Sequence, residues 1–132
     1  MRSKPCLTLE VVRKLATACE AEAARNKWIV TVAIVDDAGY LLHLQRMDGA
    51  GPITVEAATQ KARTAALSRR PSRFWEERVK ERPVFLKFPD NFPVIGGVPL
   101  VYQGECVGAI GVSGVQSHED EQIAQAGASA LT

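Results

Sequence analysis

Two rhythms of apolar residues alternate along the chain. Leu9, Val12, Ala16, Cys19 and Ala23 recur at three- and four-residue spacing, which predicts a helix capped by Thr8 and ending near Asn26. The rhythm then collapses into a β-branched run, "WIVTVAIV" (Trp28 to Val35), broken by "DDAG" and resumed by "YLLHLQR" (Tyr40 to Arg46). Two apolar runs around such a turn signal predict a β-hairpin. Gly49, Gly51 and Pro52 mark a loop, and the alanine-rich stretch Ile53 to Ser68 reads as a second helix ended by Pro71. A shorter helix is expected from Ser72 to about Lys80.

The stretch "ERPVFLKFPDNFPVIGG" carries Pro83, Pro89 and Pro93 together with Phe85, Phe88 and Phe92. Its prolines rule out a central strand or a long helix, so it is expected to be an aromatic loop that covers a core edge or lids a pocket. "VPLVY" and "CVGAIGVS" then predict a second hairpin around a "QGE" turn. Ser117 is expected to open a last helix in the pattern Ser-x-x-Asp, with Glu119, Asp120 and Glu121 in its first turn. Two hairpins among separated helices define an α+β fold in a single domain of 132 residues.

Composition narrows the partners. Sixteen Lys and Arg against fifteen Asp and Glu leave a charge of +1, which gives no electrostatic footprint for nucleic acid or an acidic membrane. The densest basic run, Arg69, Arg70 and Arg73, is followed by Glu76 and Glu77 and reads as a solvated helix end. Three cysteines without a Cys-x-x-Cys pair argue against a disulfide framework or structural zinc and fit a reducing cytoplasm. No apolar run approaches the roughly 20 residues of a membrane span, so a soluble protein is expected.

The run "GAIGVSG" (Gly108 to Gly114) raises the question of chemistry. Its glycine spacing does not match a dinucleotide loop, and Ser113 lacks the second glycine of a nucleophile elbow. Strand alternation instead puts Ala109, Gly111 and Ser113 on one nearly bare face, which calls for a close neighbour, either a helix or a ligand. On the second helix Thr54, Ala58, Lys61 and Ala65 form a similarly small-walled stripe. Lys61 either snorkels to solvent or turns its charge into a cavity as an anion anchor or base. Asp36 is either a turn residue or an inward carboxylate, and Arg46 and Asp48 are placed to pair. His43, on a strand between leucines, reads as a packed or surface residue. His118, Glu119 and Asp120 have a capping explanation, so no metal is expected.

Taken together, "VAIVDDAGYLLHLQRMDGA" (Val32 to Ala50), "KARTAA" (Lys61 to Ala66), "FP" before "GGVPL" (Gly96 to Leu100), and "GECVGAIGVSG" followed by "EDEQIAQAG" resemble the GlcG/HbpS family. The same domain forms the C-terminal part of PduO-type proteins. The resemblance implies a profilin-like fold with an antiparallel sheet of about five strands flanked by helices, and association into dimers up to octamers. It implies haem as the cofactor of some members, with haem breakdown or iron sensing attributed to them. The resemblance transfers no iron ligand to His43 or His118, which leaves Cys106, Tyr40, Tyr102 and Met47 as potential iron ligands.

Three functions follow as expectations. The first is a small-molecule or tetrapyrrole-binding protein. Its pocket is expected between the glycine strand and the Lys61 helix, with Arg46, Lys61, Phe88, Gly97, Gly111 and Ser113 as ligand-binding residues. The second is a small catabolic enzyme, isomerase- or tautomerase-like, in which Asp36 or Lys61 moves a proton on a carboxylated metabolite. The third is a non-catalytic oligomeric accessory protein whose glycine and alanine faces serve packing alone.

Overall fold

A computed structural model describes all of residues 1–132. In chain order the elements are α1 (Leu9–Arg25), β1 (Thr31–Asp36), β2 (Leu41–Arg46), α2 (Ile53–Ser68), α3 (Ser72–Glu81), a 3-10 turn (Pro83–Lys87), β3 (Gly97–Tyr102), β4 (Glu105–Ser113) and α4 (Ser117–Ala128). The strands form one sheet in the order β2-β1-β4-β3, with every neighbouring pair antiparallel. Four strands are present rather than about five. The two hairpins supply all of them, and the proline-rich stretch before β3 closes into the 3-10 turn, where its missing N–H groups cost no ladder bonds.

Thr8 caps α1 as expected, its hydroxyl accepting from the Val11 N–H at 3.3 Å. At α4 the cap lies one residue earlier than expected. Gln116 is the N-cap, and its backbone N–H donates to Glu119 Oε1 at 3.2 Å in a reciprocal capping box.

The two faces of the sheet bury very different side chains. One face carries Val32, Ile34, Leu100, Ile110 and Val112, which pack on Val12, Leu15 and Cys19 of α1 and Ile123 and Ala124 of α4. The other face carries Ala33, Val35 and Ala109, and meets Ala58, Ala62, Ala65 and Ala66 of α2. A layer built from methyl groups holds its helix close to the strands, so contact is made by backbone as much as by side chain. No helix is long and apolar enough to cross a membrane.

Candidate functional site

The bare face of β4 is filled by α2. A Cβ added at Gly111 would stand 2.6 Å from the Ala62 nitrogen and 3.0 Å from the Ala62 Cβ, closer than real side chains come. Gly97 is packed in the same way, with the Lys61 carbonyl carbon 2.7 Å from where its Cβ would be, and its N–H donates to Ser72 Oγ at 2.8 Å. Of the two neighbours that the sequence left open, the structure places the helix there. Ser113 is half-buried at the end of β4, opposite Thr31. Lys61, Gly97 and Gly111 therefore come together at one packing surface, with no cavity between α2 and the strand.

Lys61 neither snorkels nor points into a cavity. It is 3% exposed, and its ammonium donates to the Val112 carbonyl and to Asp120 Oδ2, both at 3.0 Å. Asp120, 2% exposed, completes its bonding by accepting from the Val115 N–H at 3.1 Å. The lysine thus passes the end of β4 and ties α2 to the first turn of α4. Gly96 makes the passage possible: at φ +137° it is a backbone position suited to glycine, and a Cβ there would lie 2.8 Å from both Lys61 Cδ and Nζ. Burial pushes the Asp120 carboxyl above the usual carboxylate range, and the Lys61 charge opposes that shift.

Asp36 is a turn residue. Its Oδ1 accepts from the Ala38 and Tyr40 N–H groups at 2.9 and 3.0 Å. Arg46 is exposed and donates through Nε to the Ala50 carbonyl at 2.9 Å, not to Asp48. Phe88 lines a cleft whose wall includes none of the other five expected ligand-binding residues. His118 is exposed while its neighbour Asp120 turns inward. His43 lies opposite Ile34 on β2, its Nε2 buried without a partner.

Two surface features lie outside the pocket expected between β4 and α2, and Phe88, expected to bind ligand, belongs to both. The first is a cleft of about 440 Å³ on the outer side of α2, lined chiefly by Glu56, Gln60, Arg63, Phe88, Asp90 and Asn91. Thr64 holds its far wall, accepting from the Phe92 N–H at 2.8 Å and donating to the Asp90 carbonyl at 3.2 Å. Arg63 donates to the Gly39 carbonyl at 3.0 Å and lies 3.5 Å from Asp90 Oδ2. The sequence pattern carries no signal for Arg63, and the nearest one is its neighbour Thr64, a polar residue among the buried positions of α2.

The second feature is an aromatic platform. Phe88 stacks on Trp75 with centroids 5.0 Å apart, and Phe85 lies 5.7 Å from both rings. Around them Val84, Leu86 and Phe88 are 60%, 58% and 48% exposed. Three large apolar residues left open within five positions form a patch of the kind that marks a binding surface. Arg82 sits over Phe85 at 5.0 Å, and Lys87 is exposed on the same turn. A separate apolar groove of about 190 Å³ lies where the chain ends meet, with Cys6 and Tyr102 in its wall.

Comparison with known proteins agrees with this architecture. Residues 7–129 match the family described as "Haem degrading protein HbpS-like". The protein GlcG of Escherichia coli K12 is 41% identical over 114 residues, covering 86% of this chain and 85% of GlcG. The crystal structure of a double mutant of Streptomyces reticuli HbpS superposes with a TM-score of 0.93 at 35% identity, covering all of this chain and 91% of that one. A PduOC–haem complex superposes with a TM-score of 0.89 at 25% identity, over 97% of this chain and 96% of that one. With the family's motifs laid on the same sheet and helices over nearly its whole length, the chain belongs to the HbpS-like family.

Proposed function

We propose that the protein is a non-catalytic, cytoplasmic, homo-oligomeric binder of tetrapyrroles of the haem class. It holds them through ring and carboxylates rather than through the metal. The observation that carries this reading is the open apolar platform of Val84, Leu86 and Phe88 on a stacked aromatic base, flanked by Arg82 and Lys87. A planar macrocycle buries its face against such a surface, and two cations at its margin suit a pair of propionates. The PduOC–haem complex supports the ligand class.

The residues of the platform fit the ring and the acidic groups but not the iron. Between Arg82 and Phe88 there is no His, Cys, Met or Tyr. The groove beside Cys6 and Tyr102 is too small to enclose a macrocycle. When bound, haem would supply the redox chemistry of its iron. The chain's own part is to place the ring, hold the carboxylates and shield one face from water. The two groups expected to move protons, Asp36 and Lys61, are both engaged in structural bonds, which favours binding over catalysis.

The test is a titration with haemin and with metal-free protoporphyrin IX, read by the Soret band and by quenching of tryptophan fluorescence. Both should bind with similar affinity. Phe88→Ala should weaken both about tenfold or more, since stacking on an aromatic contributes about 1–3 kcal/mol. Haemin binding unaffected by Phe88→Ala, or strict dependence on iron, would defeat the proposal.

A further inference from the structure

The cleft beside α2 carries a charge pattern that the tetrapyrrole reading does not use. Arg63 is the one cation in its wall, against the carboxylates of Glu56 and Asp90. The wall therefore has a formal charge of −1. Nη1 of Arg63 is committed to the Gly39 carbonyl, but Nη2 lies 3.5 Å from Asp90, beyond hydrogen-bonding length. Most of its five donors are thus held in place and unspent.

The opposite side is rich in acceptors. The Asp90 side chain is 58% exposed, and its backbone is fixed at φ +51° with its carbonyl on the Thr64 hydroxyl. Asn91 donates to the Phe85 carbonyl at 2.8 Å, while its Oδ1 is buried with no donor. A simple anion entering this cleft meets two carboxylates, and a simple cation leaves the Arg63 fork unmet. A small zwitterion satisfies both sides.

We propose that the cleft binds a free α-amino acid. Its carboxylate lies on Arg63, its ammonium between Asp90 and Glu56, and its side chain against Phe88. Recognition of this kind is built from charge-assisted hydrogen bonds at both ends of the ligand. The apolar ring of Phe88 selects an aliphatic or aromatic side chain over a charged one. The cleft's volume of about 440 Å³ lies within the range of small-ligand sites.

Three probes of one shape separate the contributions: L-leucine, 4-methylpentanoate and 3-methylbutylamine, each titrated by calorimetry. Leucine should bind saturably and about tenfold or more tighter than either half-molecule. Asp90→Asn, a change at an exposed side chain, should bring leucine down to the level of the carboxylate alone. Arg63→Gln should bring it down to the level of the amine, with near-ultraviolet circular dichroism as the check on its fold. No saturable binding of leucine, equal binding of either half-molecule, or full leucine affinity in Asp90→Asn overturns the proposal. Haemin binding should be unchanged in Asp90→Asn, so the amino-acid and tetrapyrrole readings stand or fall separately.

Discussion

Removing one member of the Lys61–Asp120 pair is the sharpest test of the buried geometry. Both side chains are within 3% of full burial, and each bonds the other and one backbone group. Lys61→Met leaves a carboxylate buried with only the Val115 N–H for company. Breaking a buried pair from one side costs about 3–5 kcal/mol, because the remaining charge has lost its compensation. At about 2.1 cal/mol/K of unfolding entropy per residue, 132 residues give about 0.28 kcal/mol/K. The expected fall in Tm is therefore about 11–18 °C.

The double variant Lys61→Met with Asp120→Leu should recover most of this loss, since an apolar pair of similar volume often substitutes without net cost. The pH dependence has a definite sign. Burial raises the folded Asp120 carboxyl above its unfolded value, so protonation favours the folded state, and stability from this group is lost as pH rises through that interval. With Lys61 gone, only the Val115 N–H opposes the upward shift. The deficit of Lys61→Met should then shrink on acidification towards the ordinary carboxylate range. Urea denaturation of the four-member cycle at neutral and acidic pH measures all of this. A single variant within about 1 kcal/mol of the wild type at neutral pH, or a deficit that grows with acid, refutes the account.

Other predictions concern packing and thiol chemistry. Gly111→Ala should destabilise by about 1–3 kcal/mol in chemical denaturation, because the added methyl meets the backbone of α2 and not a movable side chain. A variant as stable as the wild type would show that α2 is free to lift. Burial pushes the Cys19 thiol up to about 12, so a thiol reagent at neutral pH should label exposed Cys6 at once and Cys19 only on global unfolding. Because that folded value exceeds the ordinary thiol value of 9.0, the stability from keeping Cys19 neutral is present below 9.0 and lost as pH rises towards 12. Cys19→Ala should therefore flatten the alkaline limb of the stability profile, and an unchanged limb would contradict the assignment.

Local pattern was enough for most of the architecture. The three-four spacing from Leu9 to Ala23, the β-branched runs and the turn residues each act over a few positions, and the structure follows them closely. The motifs also identified the family. The site was harder to read because its geometry is made by pairs distant in sequence. Lys61 meets Asp120 across 59 positions and Thr64 meets Phe92 across 28, and nothing local announces either. Small residues at Gly111 and Ala58 signal closeness without saying to what, which is why a helix and a ligand were both open readings of the same stripe. Gln116 displaced Ser117 as the cap of α4 because it could join Glu119 in a reciprocal pair.

The unequal thickness of the two core layers has a consequence for how this fold can vary. On the α1 and α4 side, branched side chains have several rotamers, so a lost or gained methylene can be absorbed by neighbours that re-settle. On the α2 side the neighbours, Val35 apart, are methyl groups and main chain, with no torsion to turn. Sequence drift is thereby channelled to one side of the sheet, while the other is held to alanine and glycine by geometry alone. Packing alone limits which residues this face accepts, with no ligand required to set the limit.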